Sequence, residues 1–263
     1  MDLGDAYGPF DATVDAGQAA AFAQAINQPA NGAVPPTFIA AVTRGAMLHA
    51  MTHAVPAEAQ RRGVHGEQDM RWYRPLEVGM ALRTTAQVRS LRVGKTGSRL
   101  TLSLESRDED GRPVADQLWT TFLRGADLGR SMGPDLPDHR LPARSGAGAS
   151  AHARVRIDDD QPIRFARASG EDSSIHVDPA AAQASGFRTI IAHGMCSLAL
   201  CAGAVVPDLT RLRRLAVRFS GVAYPGTELD VVSFTVLDDL TYAFEARAAR
   251  EPVLTDGRIE LVP

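Results

Sequence analysis

A carboxylate and an imidazole stand five positions apart in Gly170-Glu171-Asp172-Ser173-Ser174-Ile175-His176, directly after a run with helical spacing. Further along, His193-Gly194-Met195 opens a second apolar helix. A carboxylate, a histidine and a glycine N–H at a helix start suffice to move a proton beside a carbonyl while stabilising the charge that develops on its oxygen. His176 suits the proton transfer because an ordinary imidazole titrates at about 6.5. Gly194 suits the other task. It carries no side chain to hold a carbonyl away, and the N–H groups of a first helical turn favour negative charge.

These residues need a frame, and the chain has the means to build one. It has 263 residues, 44% of them hydrophobic, which supports either one large core or two small ones. Internal repetition favours two. Gly133, Pro134, Pro137, Pro142, Gly146 and Gly148 interrupt any helical or strand period, so 131–150 reads as a linker between a first domain, 1–130, and a second, 151–263. Each half shows a short helix, a loop, a longer apolar helix and several strands. In the first, Ala20-Phe22-Ala25-Ile26 has helical spacing, Pro35-Pro36-Thr37 prepares a helix start, and 38–51 is the long apolar helix. In the second, 165–168 precedes the loop and 195–206 is the apolar helix. Arg71-Trp72 followed by Gly79 and Leu82 is echoed by Arg218-Phe219 followed by Gly226 and Leu229. Alternating strand-like runs at 84–93, 99–106 and 118–123 are answered by 229–237 and 242–248. Long antiparallel strands curled around one helix per half account for this order.

A formal net charge of −3 gives no basis for nucleic-acid binding and points to a small or neutral partner. Cys196 and Cys201 lie in an apolar run without metal or disulfide spacing and read as packing residues of a reducing compartment. The N-terminal residues lack the pattern of a secretory leader, and no run reaches bilayer length, so a cytoplasmic location away from membranes is expected. Arg211, Arg213 and Arg214 form a basic cluster that reads as a solvated patch, with phosphate binding as the sharper alternative.

The second half resembles the MaoC-like hydratases and dehydratases. Gly170, Ile175, His176, Asp178 and Pro179 follow that family's motif, Ile191-Ala192-His193-Gly194-Met195 looks like its helix entry, and Phe219 through Pro225-Gly226 to Leu229 like its following strand and turn. The first half is similar to the companion domain of two-domain members through Pro35-Pro36-Thr37-Phe38, His65-Gly66-Glu67-Gln68 and Arg74-Pro75-Leu76. The resemblance implies an α+β double hot-dog fold, each half an antiparallel sheet wrapped around a long central helix. It further implies a hydro-lyase that interconverts trans-2-enoyl and 3-hydroxyacyl thioesters. Glu171 and His176 would form the acid/base pair, Gly194 would be the oxyanion donor, and Ile175, His193 and Met195 would lie beside the substrate. His193 would serve structurally, as a helix-cap residue. No cofactor or metal is required, and the partner is an acyl-CoA or acyl-carrier-protein thioester. A homodimer is possible.

This chain departs from the family pattern where it matters. The motif's aspartate is Glu171, its asparagine Ser173 and its proline Ser174, and a serine that some members carry eight residues after the helix-entry glycine is Ala202. Register favours Glu171 over its neighbour Asp172. An added methylene displaces the carboxylate by about 1 Å, which at a reacting group can cost about a hundredfold. Burial would have to raise the Glu171 pKa for it to act as an acid. Two other readings therefore stand: a degenerate hot-dog protein that binds acyl thioesters or partners a catalytic subunit, and a specialised dehydratase of polyketide-type biosynthesis. In the first half, 27–36 contains no His, Asp or Glu, and His49, His53 and His65 are expected to pack or face solvent, so that half is expected to be non-catalytic.

Overall fold

Ten antiparallel strands form one continuous sheet in the computed structural model, which describes residues 1–28, 32–141, 150–236 and 240–263. The first half contributes β1 (Ala6–Thr13), β2 (Gly63–Trp72), β3 (Ala81–Gly94), β4 (Gly97–Arg107) and β5 (Pro113–Arg124). The second contributes β6 (Ser150–Arg156), β7 (Leu212–Phe219), β8 (Glu228–Thr235), β9 (Thr241–Ala248) and β10 (Glu251–Leu261). Their order is β1-β3-β4-β5-β2-β7-β10-β9-β8-β6, so each half repeats one topology and the two meet at β2 and β7. The echo of Arg71-Trp72 in Arg218-Phe219 makes Ala216 the counterpart of Asp69. These two residues pair directly, so the pseudo-twofold relation runs through them. Gly79 and Gly226, the repeated turn glycines, both have positive φ, at 84° and 78°, where a side chain would be strained.

Among the described residues, eight α-helices lie with the sheet: α1 (Ala16–Ala25), α2 (Ile39–Val42), α3 (Arg44–Ala54), α4 (Ala57–Gln60), α5 (Gln161–Ser169), α6 (Ser174–Val177), α7 (Pro179–Ala184) and α8 (Gly194–Val205). Helix α8 is the central helix of the second half. Its residues Met195 through Ala202 are all buried, and the absence of charge around it fits a helix enclosed on every side. The expected single helix at 38–51 is instead a short turn, Pro36–Phe38, followed by α2 and α3, with the break at Thr43 (φ −92°, ψ 2°). A buried hydrogen-bond chain fixes that break. The Thr43 hydroxyl donates to Ile39 O at 2.9 Å and accepts from Gln117 Nε2 at 2.8 Å, and Gln117 Oε1 accepts from Gln68 at 3.1 Å. Back-bonding of a threonine to the preceding turn bends helices, and the second bond from the sheet holds the bend in place.

One face of β4, carrying Leu100, Leu102 and Leu104, packs on α3 through Ala46, Met47, Ala50 and Met51. The other face, including Thr101 and Ser103, is covered by chain from the expected linker. Ser90 donates to Pro134 O, Thr101 to Leu136 O, and Leu91 and Met132 exchange backbone hydrogen bonds. The portion 131–141 is therefore a packed strap and not a free connection, whereas 142–149 lies outside the described residues. From the strap, fully buried His139 meets Glu67 at 3.2 Å, and beneath it Arg214 forms a two-point bond to Asp69 at 2.9 and 2.6 Å. This corrects the basic cluster: Arg214 is buried and paired, and Arg211 bonds Val262 O, which leaves Arg213 as the exposed member. The period-two alternation of β7 sends Arg213 and Arg214 to opposite faces.

Candidate active site

Helix α5 ends at Gly170, whose φ of 71° closes the helix in the left-handed conformation that glycine adopts at least cost. The chain then turns through Glu171 to the short α6, which carries His176. The His176 Nδ1–H donates to Ile191 O at 2.8 Å, which fixes the tautomer and leaves Nε2 as the lone-pair nitrogen. Burial lowers the His176 pKa below the usual imidazole value, against smaller opposing effects from the Ile191 carbonyl and the Glu171 charge. A neutral imidazole with a free Nε2 is a general base.

His193 stacks on His176, ring centres 3.7 Å apart, and its Nε2–H donates to the Glu171 backbone carbonyl at 2.8 Å. Burial and the neighbouring His176 push its pKa down to about 3. Its backbone occupies the cap position of α8, but its side chain does not cap the helix; it ties the helix start to the loop carrying Glu171. The first hydrogen bond of α8 runs from Ser197 N–H to His193 O, so the N–H groups of Gly194 to Cys196 have no partner within the helix. A Cβ built on Gly194 would stand 2.8 Å from the Phe219 ring. Glycine is thus required here by packing.

Glu171 differs from the expected buried acid. Its side chain keeps 30% of its exposure, and Oε2 accepts from Arg44 Nε at 3.0 Å and stands 3.0 Å from Nη2. Oε1 accepts the Ser173 N–H at 3.3 Å, and the Ser169 hydroxyl accepts the Glu171 N–H at 3.2 Å. Ala202, the position of the family's serine, is buried in the core.

A cavity of about 270 Å³ joins these groups. Glu171, His176, His193, Gly194 and Met195 line it from the second half, and Arg44, Met47, Met51, His65 and Trp119 from the first. Ile175 is not among the lining residues; its carbonyl accepts the Ile191 N–H at 3.2 Å and shapes the loop. His65 lies flat on Trp119 with ring centres 3.7 Å apart, and burial lowers its pKa to about 3. It is a neutral wall of the cavity. His49 and His53 are exposed and stack on each other with ring centres 4.1 Å apart. Two buried atoms of cavity-lining residues, Thr37 Oγ1 and His193 Nδ1, have no hydrogen-bond partner among the described residues, a condition that costs about 1–3 kcal/mol and that a polar ligand or water relieves. Arg44 and Trp119 were not singled out from the sequence. The one local signal for Arg44 is a cation at the start of an apolar helix, where the dipole disfavours it.

Comparison with known proteins agrees with this geometry. Residues 142–239 match the MaoC like domain, and residues 2–117 match the FAS1-like, dehydratase domain region. A probable enoyl-CoA hydratase 2 of Dictyostelium discoideum is 24% identical over 203 residues, covering 74% of this chain and 68% of the relative. The 3-hydroxyacyl-thioester dehydratase Y of Mycobacterium tuberculosis is 29% identical over 223 residues, covering 76% and 72%. A MaoC-like dehydratase from Phytophthora capsici superposes with a TM-score of 0.87 at 20% identity, over 98% of this chain and 95% of that one. A Mycobacterium tuberculosis protein with a double hotdog fold superposes at 0.63 and 18% identity, over 100% and 96%. With the repeated half-sheet, the loop carrying Glu171 and His176 and the glycine entry to α8 in one chain, the protein has a double hot-dog fold whose second half matches the MaoC like domain and whose first half matches a dehydratase domain region.

Proposed function

We propose that this chain is a hydro-lyase interconverting trans-2-enoyl and 3-hydroxyacyl thioesters, with Glu171 and His176 as its acid/base pair and Gly194 as its oxyanion donor. In dehydration, the His176 Nε2 lone pair takes the proton from C2, and the negative charge passes to the thioester oxygen facing the Gly194 N–H. The C3 hydroxyl leaves as water by taking up the proton that the Glu171–His176 pair has gained from C2. Hydration is the reverse. The single observation that carries this reading is the His176 tautomer: the Ile191 carbonyl holds Nδ1–H, so the basic nitrogen belongs to a residue of the same cavity wall as Glu171 and Gly194.

Residues 151–263 supply the chemistry in this reading, and residues 1–130 supply the opposite wall. We take the substrate to be a CoA thioester, with a carrier-protein thioester as the competing form, and a homodimer as a possible assembly. Among the described residues no helix is long and apolar enough to cross a membrane. The buried free thiols of Cys196 and Cys201 support a reducing compartment, and we place the protein in the cytoplasm. Purified protein is expected to hydrate trans-2-enoyl-CoA substrates, with His176→Ala inactive. Wild-type protein that binds acyl-CoA but neither hydrates enoyl-CoA nor exchanges the C2 proton with solvent would leave only the binding role.

A further inference from the structure

We propose that Arg44, supplied by the half opposite the Glu171 loop, is the positioning residue that orients the Glu171 carboxylate in the cavity. This rests on the hydro-lyase reading and deepens it. Arg44 and Glu171 are 127 positions apart in sequence, yet two guanidinium nitrogens reach one carboxylate oxygen at 3.0 Å. The remaining carboxylate oxygen takes the Ser173 N–H, so both oxygens are oriented. The groups facing Glu171 are Arg44 from α3, the His193 ring bound to its backbone carbonyl, and His176 from α6, with Asp172 exposed beside it. Burial keeps both imidazoles neutral, so among the described residues Arg44 is the cation of this group.

Two further observations show that the fold goes out of its way to place this side chain. Arg44 is the first residue of α3, where the positive end of the helix dipole makes a cation unfavourable by about 0.3–1 kcal/mol. A residue that breaks a local rule without local compensation marks a position set by function. In addition, α3 starts there because the chain breaks at Thr43, and the break is pinned by the buried bonds from Gln68 through Gln117 to Thr43. The longer glutamate side chain meets a partner that the family's aspartate, one methylene shorter, would fall short of by about 1 Å. The Asp-to-Glu departure and Arg44 thus belong together. Only a quarter to a third of either side chain is exposed, so the pair is screened less than a surface pair.

The test is hydration of trans-2-butenoyl-CoA by wild-type, Arg44→Ala and Arg44→Lys proteins, each checked for an unchanged melting curve. Arg44→Ala is expected to lose about tenfold to a hundredfold in kcat with KM held within about threefold. Guanidinium chloride at sub-denaturing concentration should restore roughly fivefold or more of that loss, and Arg44→Lys should keep an intermediate rate, whereas guanidinium should not help Glu171→Gln. An unchanged kcat in Arg44→Ala overturns the proposal, as does a joint loss of kcat and KM without guanidinium rescue. In either case, His176→Ala and Glu171→Gln remaining inactive would preserve the hydro-lyase reading. A wild-type protein without turnover overturns both.

Discussion

The two central helices of this molecule have diverged in opposite ways. Helix α8 of the second half runs unbroken for 12 residues, buried along most of its length, and its N–H groups from Gly194 to Cys196 have no partner within the helix. Its counterpart is interrupted at Thr43 into α2 and α3, and in place of a catalytic entry it offers Arg44, Met47 and Met51 to the cavity. An intact central helix completes a core. A broken one leaves space beside it, and its new helix start can aim a side chain across that space. The first half thus walls the same cavity as the Glu171–His176 loop and is not merely a copy of the fold.

The sharpest way to break this comparison is to remove the base from one half and a histidine from the other. His176→Ala is expected to lower kcat/KM by about 10²–10⁴, the usual contribution of general acid–base catalysis, with His49→Ala at the wild-type rate. Comparable losses from both substitutions in steady-state hydration assays would show that the halves share the chemistry.

Glu171→Asp tests whether the second half depends on the first for the placement of its carboxylate. Shortening the side chain draws it away from Arg44, and kcat is expected to fall by about a hundredfold although the family's own residue has been restored. Wild-type kcat in Glu171→Asp would mean that reach toward α3 is unimportant.

Gly194→Ala sharpens the contrast between the helix starts. The new Cβ meets the Phe219 ring at 2.8 Å, and overpacking of this kind costs about 1–3 kcal/mol, read as a lower midpoint in urea together with a reduced kcat. A fully stable and active Gly194→Ala protein would remove Gly194 from the site.

The smallest effect expected is on stability against acid. His193 is only 3% exposed and its pKa is lowered to about 3 in the folded protein, so below about 6.5 the unfolded chain binds a proton that the folded chain refuses. Its contribution is fully present above that pH and is lost as the pH falls toward 3, at about 1 kcal/mol per pH unit. Urea unfolding of wild type and His193→Gln between pH 7.5 and 5 is expected to show the steeper decline in wild type. Equal slopes would mean that His193 is already charged in the fold.

Much of the frame was readable before any coordinates. The long alternating runs became β3, β4, β5, β8 and β9, because strands with one face on a core must alternate and the pattern is local. Strands β1, β6 and β10 escaped notice. Strands β1 and β6 lie at the two edges of the sheet, and β1 contains Gly8 and Pro9; β10 contains Pro252 and Gly257 and pairs through register shifts that blur alternation. The helix break at Thr43 was equally hidden. Residues 38–51 are apolar with helical spacing throughout, and the bond that fixes the bend comes from Gln117 on β5.

The sequence by itself determined the repeated order of elements, the turn glycines Gly79 and Gly226, and a loop carrying Glu171 and His176 ahead of Gly194. Each depends on backbone conformation or on residues a few positions apart, and side-chain type and spacing encode both. Tertiary structure alone decided that Arg44 meets Glu171, that the expected linker packs as a strap over Glu67 and Asp69, and that Trp119 and His65 wall the same cavity as the catalytic loop. These contacts exist because β2 and β7 pair in one register and join the two sheets edge to edge. That register is a property of both halves together, which no local stretch of the chain contains.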